Sequence, residues 1–242
     1  VQLAPGGGLT LTGALVVDGG TIKLDGNYPT GTNNVALGDT ALDSGSLSGG
    51  NNTGIGNAAL TVNTSGANNV AVGNLALDAN TTGSCNLGNG MYSLTANISG
   101  DCNTAVGYAS LASNTTADNN TAVGFRAMDK NTTGACNTAV GVDSLRCNTT
   151  GCRITAVGIC SLYNNTTGCW NTAVGDLALR GNTTGCNNVA IGTASLLSNT
   201  TASNNTAVGC ASLLANTTGS SLTAVGHLAL SANTTATLNT AV

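Results

Sequence analysis

Read at a stride of 17 residues, this chain sorts its apolar side chains into columns and its asparagines into two more. Glycine marks the frame at 56, 73, 90, 107, 124, 141, 158, 175, 192, 209 and 226, and Gly38 opens the series with one extra residue before Gly56. The residue before each glycine is Leu37, Ile55, Val72, Val106, Val123, Val140, Val157, Val174, Ile191, Val208 or Val225; only Asn89 departs. Such branched bulk predicts an inward-facing strand position. Four residues after the glycine stands Leu or Met: Leu77, Leu94, Leu111, Met128, Leu145, Leu162, Leu179, Leu196, Leu213 and Leu230. The position just before it holds Ala or Ser, which predicts a site with room for a small side chain only.

Each unit therefore predicts a short strand (Asn-Thr-Ala-Val), a bend at glycine, a second short element carrying Ala-Leu, and a corner written Asn-Thr-Thr-Gly. The second element is either a strand or a single helical turn, since Ala, Leu and Met favour helix while its length favours an extended edge. One unit cannot bury an apolar face by itself, so successive units must stack. The expected fold is an all-β solenoid, a β-roll of about 12 stacked rungs. At roughly 4.8 Å per rung it makes a rod on the order of 60 Å long.

Asparagine recurs at 103, 120, 137, 171, 188, 205 and 239, and again at 63, 80, 97, 114, 131, 148, 165, 182, 199, 216 and 233. Stacked identical amides can bond along the axis as a ladder. The second column also sits in Asn-x-Ser/Thr sequons. In a chain secreted by a eukaryote, Asn80, Asn114, Asn131, Asn148, Asn165, Asn182, Asn216 and Asn233 are thus candidates for glycosylation.

Residues 1–33 depart from the frame. Leu9-Thr10-Leu11-Thr12 and Thr21-Ile22-Lys23-Leu24 alternate on either side of Asp18-Gly19-Gly20, which predicts a β-hairpin or β-rich connector ahead of a shaft over 34–242. The chain starts at Val1 without Met and stops at Val242, one residue before the next framed glycine. It is expected to be a segment of a longer polypeptide.

Composition narrows the function. Charged residues are 7% of the chain against about 25% in globular domains, yet 41% hydrophobic content argues against disorder. Six Lys and Arg, spread singly in a chain of net charge −4, provide no basic stripe for nucleic acid. No apolar run is long enough to span a membrane.

Candidate chemistry is sparse. His227 is the only histidine, too little for a triad or a zinc site. Asp39, Asp78, Asp118, Asp143 and Asp176 fall in different slots, and the glycines form no phosphate loop. No catalytic residue, metal site or cofactor is expected, and the chain reads as no enzyme.

Nine cysteines remain. Cys85, Cys102 and Cys136 share one slot, and Cys152, Cys169 and Cys186 share its neighbour. Cysteines on successive rungs lie within disulfide reach, so Cys85–Cys102 or Cys169–Cys186 could bridge rungs; the alternative is thiols packed as small hydrophobes.

The phrase Asn-Thr-Ala-Val-Gly-x-x-Ala-Leu-x-x-Asn-Thr-Thr-Gly resembles repeats in tail-fibre proteins of tailed bacteriophages, marine and cyanobacterial ones above all. The opening Gly19-Gly20-Thr21-Ile22-Lys23-Leu24-Asp25-Gly26-Asn27-Tyr28-Pro29 is similar to the segment that precedes them. Asn188-Val189-Ala190-Ile191-Gly192 is more distantly similar to the head repeats of trimeric autotransporter adhesins. The resemblance implies a parallel homotrimer projecting from a virion. Other tail or appendage proteins would lie at its N-terminal side, with a host receptor met through a tip beyond this segment. Small Ala and Thr on an outer strand face would suit packing between copies. The rivals are a bacterial surface adhesin whose rod grips a ligand, a self-assembling extracellular filament, and an ice-binding solenoid. The last fits poorly, because its Thr-Thr pairs sit at a corner beside Asn.

Overall fold

The computed structural model describes residues 32–242, so the hairpin or connector expected over 1–33 lies, up to residue 31, outside the described residues. The chain winds as a β-solenoid. Thirteen short strands, from β1 (Val35–Leu37) to β13 (Thr240–Ala241), form one parallel sheet in strict sequence order. Register is kept at the 17-residue stride: Thr138, Ala139 and Val140 of β7 lie beside Thr155, Ala156 and Val157 of β8. Each rung touches only the rung before and the rung after. No helix long and apolar enough to cross a membrane occurs among the described residues.

The Ala-Leu segment is neither strand nor helical turn. It is a pair of tight turns made with left-handed residues. In the rung that starts at Thr138, Asp143 has φ +52°, Leu145 +53° and Arg153 +55°. A non-glycine residue in this region costs about 1–2 kcal/mol. Two things offset that cost. The turned amides find carbonyls on neighbouring rungs: Asp143 N–H donates to Phe125 O at 2.9 Å, Arg153 N–H to Ala135 O at 3.1 Å and Leu145 N–H to Ser161 O at 2.9 Å. The Leu145 side chain is also wholly buried, which stabilises by about 1.5–3 kcal/mol.

Gly141 serves the stacking directly. Its φ is +135°, and a Cβ there would lie 2.6 Å from the carbonyl oxygen of Gly158 one rung on. At the framed glycines from 38 to 209 an added Cβ would meet the backbone of the next rung, an approach that no side chain permits.

The expected facing of the strand is inverted. Ala71, Ala105, Ala122, Ala139, Ala156, Ala173, Ala190, Ala207 and Ala224 point inward and are fully buried, whereas Val140 is 36% exposed and Ile191 40%. Val123 and Val157 are half-buried on the same outer face. The inner strand slot abuts the Leu column. At Gly54, which occupies it in one rung, a Cβ would already meet Leu42 Cγ and Ala59 O at 3.2 Å. Valine does not fit there, so the outer face of the sheet carries Thr and Val, not Ala and Thr. The Leu column and the small Ala or Ser before it are inside as expected, with Leu77, Ala76, Leu145 and Ser144 at 0% exposure. Stacking survives the inversion because the continuous interior is Ala and Leu.

Between these columns lie the asparagines. In the column from Asn63 to Asn233 each Nδ2 donates to the Oδ1 one rung back, at 2.8–3.2 Å, in ten consecutive links. The other column bonds differently. Asn137 Oδ1 accepts the N–H of Ile154 at 3.0 Å, and its Nδ2 donates to Gly151 O at 2.9 Å, the carbonyl that Asn148 Nδ2 also reaches at 2.9 Å. This pattern recurs where Asn holds the slot from Asn34 to Asn205; Ile154 and Leu222 interrupt the column. Threonine adds a third line of bonds at the corner, as Thr149 Oγ1 donates to Thr166 O at 3.0 Å.

The inverted strand facing has a direct test. Leu145→Ala is expected to lower stability in urea unfolding by about 2–5 kcal/mol. Val140→Ala is expected to lower it by no more than about 1 kcal/mol. Equal losses would restore valine to the interior.

Candidate functional site

The frame residues are committed to stacking, so any other chemistry has to sit in the variable slots. These slots are not evenly furnished. Of the six cations, Arg126, Lys130, Arg146, Arg153 and Arg180 fall within four successive rungs, and Tyr92, Tyr108, Phe125, Tyr163 and Trp170 overlap them. Cations that stand singly in sequence are gathered by the coil into a band at mid-rod.

On one side of the band the slot after Leu stacks Asp129, Arg146, Tyr163 and Arg180, each 17 residues from the next. Arg146 Nη1 donates to Tyr163 Oη at 2.8 Å. The Arg146 and Arg180 guanidiniums each lie 5.6 Å from the Tyr163 ring, one from each neighbouring rung. Arg146 Nε is also 3.8 Å from Asp129 Oδ2 and 3.5 Å from Asp143 Oδ1, and Lys130 Nζ is 3.5 Å from Asp129 Oδ2. Burial acts to lower the Arg146 pKa, but the Tyr163 hydroxyl, Asp143 and Asp129 outweigh it and hold the guanidinium above its ordinary value. Asp143 Oδ1 is buried without a hydrogen-bond donor, so the Arg146 charge beside it is its compensation.

An apolar column borders this cluster. Met91, Tyr108, Phe125, Val142 and Ile159 occupy the slot after the framed glycine on five successive rungs, and all are exposed. Tyr108 and Phe125 stack at 5.3 Å and 14°, Tyr92 meets Tyr108 edge-on at 5.9 Å, and Arg126 lies 5.4 Å from the Phe125 ring. The sequence reading missed both columns, since it followed the invariant slots; reading the variable slots at the same stride reveals them.

Six of the nine cysteines lie just beyond the corner. Cys85 and Cys102 are exposed; Cys152, Cys169 and Cys186 are half-buried, and none is in a disulfide. The slot of Cys152 has a structural role: its side chain accepts the backbone N–H of the preceding rung. Cys169 Sγ takes Cys152 N–H at 3.0 Å, Cys186 Sγ takes Cys169 N–H at 3.1 Å, and Ser203 Oγ takes Cys186 N–H at 2.9 Å. Asp101 and Asp118 do the same at 2.7 Å each, so Asp101, which the sequence reading did not name, shares the slot of Asp118. In the adjacent slot Arg153 lies 5.8 Å from the Trp170 ring. Cys152 and Cys169 bring their sulfurs to 2.9 Å. The hydrogen bond with Cys169, and then burial, push the Cys152 thiol up to about 11.

The sequons are a different matter. Asn80, Asn114, Asn131, Asn148, Asn165, Asn182 and Asn216 are wholly buried, and each, like Asn233, spends its Nδ2 hydrogens on the ladder and the corner carbonyl. A glycan on that nitrogen is incompatible with the stacked rungs, which corrects the glycosylation alternative. His227 is exposed. Among the described residues, no three of His, Cys, Asp and Glu are grouped to hold a metal ion.

No protein-family model matches the chain, and no similar curated protein or solved structure was found. The site geometry yields a reactivity order for alkylation followed by mass spectrometry. The exposed Cys85, Cys136 and Cys210 are expected to be labelled first at neutral pH. Cys152 is expected to lag and to accelerate as pH rises toward 11, because the thiolate is the nucleophile. Early labelling of Cys152 would contradict the hydrogen-bonded pair.

Proposed function

We propose that this chain is a structural shaft, a non-catalytic spacer in the tail fibre of a virion or a similar appendage, holding a receptor-binding tip away from its base. The observation that carries the reading is the uninterrupted stacking. Ten amide links and twelve strand pairings run the length of the described rod, so bending it anywhere strains several lines of bonds at once. A stiff narrow body is what a spacer needs. The repeat phrase that resembles tail-fibre repeats points the same way.

The shaft is proposed to work as a parallel homotrimer. The Val column of the sheet and the exposed column from Met91 to Ile159 support this. In a parallel assembly about the rod axis, equal rungs meet at equal heights, so an apolar column on one copy faces the same column on the next. Such patches on soluble proteins mark interaction surfaces. The partners in this reading are copies of the chain, appendage proteins at the N-terminal side, and a host receptor reached through the tip. The location is the virion, or alternatively the cell surface.

A surface adhesin is the second reading, and the mid-rod band favours it: a plain spacer has no use for aromatic and charged residues concentrated between Tyr92 and Arg180. Immunogold electron microscopy separates the two. Gold on fibres projecting from phage tails is expected; gold on a cell envelope would instead support the adhesin. For the oligomer, sedimentation of the purified chain is expected to give a trimer that Phe125→Glu with Val142→Glu dissociates, and a monomeric wild type would overturn the trimer.

A further inference from the structure

The asparagine column that clips backbone to backbone fails at Ile154. That rung lacks the amide oxygen which would accept the N–H of Asn171, and the Gly168 carbonyl receives Asn165 Nδ2 at 3.0 Å without the second donor that Gly151 or Gly185 enjoys. The interface between the rungs of Thr155 and Thr172 is therefore short of two hydrogen bonds that its neighbours have. In a body where each rung is held only by the next, such a fault is where the coil opens first.

Two residues before Ile154 stands Cys152, and two before Asn171 stands Cys169. Their sulfurs are 2.9 Å apart, and Cys169 Sγ is also held 3.0 Å from the Cys152 amide. The next pair in the column is built differently. Cys186 Sγ turns to the Cys169 amide at 3.1 Å and to Thr184 O at 3.5 Å, with no contact to the Cys169 sulfur. The other interruption of the asparagine column, at Leu222, has Ser220 in the thiol slot. Among these rungs, one faulted interface alone carries a thiol pair.

We infer that Cys152 and Cys169 form an oxidisable staple, a modification site at which a disulfide closes the weak rung interface. The pair named here is neither Cys85–Cys102 nor Cys169–Cys186. The oxidant is hydrogen peroxide, supplied from solution. One thiol, as thiolate, attacks the outer peroxide oxygen; the O–O bond breaks, water leaves after taking the proton, and the sulfur becomes a sulfenic acid. The second sulfur attacks the first, the S–O bond breaks, and a second water departs with the remaining proton. Two thiols lose two electrons and two protons in all, and one hydrogen peroxide becomes two waters. Backbone spacing in the stacked rungs is already within disulfide range, so closure needs side-chain rotation and no unwinding. The raised Cys152 pKa makes the reaction faster toward alkaline pH.

Tryptic mapping of the full chain tests this. Cleavage after Arg146, Arg153 and Arg180 puts Cys147 and Cys152 in 147–153, Cys160 and Cys169 in 154–180, and Cys186 beyond. After treatment of the reduced chain with hydrogen peroxide, 147–153 is expected linked to 154–180. The link should persist in Cys147→Ser and Cys160→Ser and vanish in Cys152→Ser and Cys169→Ser. Serine is native to the slot at 84, 203 and 220, where its hydroxyl accepts the N–H of the preceding rung, so these variants fold; circular dichroism checks that they do. Oxidation is also expected to slow hydrogen exchange of the 155–174 amides by roughly a hundredfold, as for a cross-linked loop of this size, and not to slow it in Cys152→Ser. Recovery of Cys152 and Cys169 as separate sulfenic or sulfinic acids, a link between other cysteines in their place, or a link with unchanged exchange would overturn the proposal.

Discussion

A buried amide has two donors and an acceptor to satisfy, and this fold satisfies them only along the axis. Within one rung, Asn148 reaches a single partner, the Gly151 carbonyl. Its remaining donor hydrogen and its oxygen must find Asn131 and Asn165 on the rungs to either side. An isolated unit would leave them unmet in an apolar interior, at about 1–3 kcal/mol for each group. Stacking is thus a consequence of where the asparagines sit, and the same condition pins the register, since a slip of one residue would part every link in the column. Leucine burial supplies the bulk of the stabilisation; the amides decide the geometry.

The left-handed turns follow from that arrangement. To bring strand, Leu column and two Asn columns around in 17 residues, the backbone must reverse sharply within each rung, and Leu145 and Arg153 take conformations that neither residue favours. Neighbouring rungs hold them there through amides directed both ways along the rod. Ladder and turns are therefore mutually dependent. The interruption at Ile154 accordingly concerns a whole rung interface and not one side chain.

Much of this was legible in the sequence, and what was not has physical causes. The glycine stride gave the rung, because a close backbone approach tolerates nothing else. The Leu column gave the interior, because a large apolar residue in every unit has nowhere else to go. The strand was read inside out: in a three-residue element such as Thr138–Val140, alternation alone does not say which face is buried, and the bulk of Val140 misled where the room left by Leu145 decides. The left-handed turns were hidden because Leu, Arg and Cys carry no turn signal. The sequons read equally well as sugar acceptors and as ladder rungs until burial distinguished them. The mid-rod band was hidden for another reason: Asp129, Arg146, Tyr163 and Arg180 look scattered until the stride sets them side by side.

The most direct measurement is hydrogen exchange of the asparagine side-chain amides, followed by nuclear magnetic resonance on the folded chain. The Nδ2 hydrogens of Asn97, Asn114, Asn131, Asn148, Asn165, Asn182 and Asn199 are expected to persist long after those of the exposed Asn187 and Asn204 have exchanged. If the two groups exchange together, the amides face solvent and the stacked interior described here does not exist.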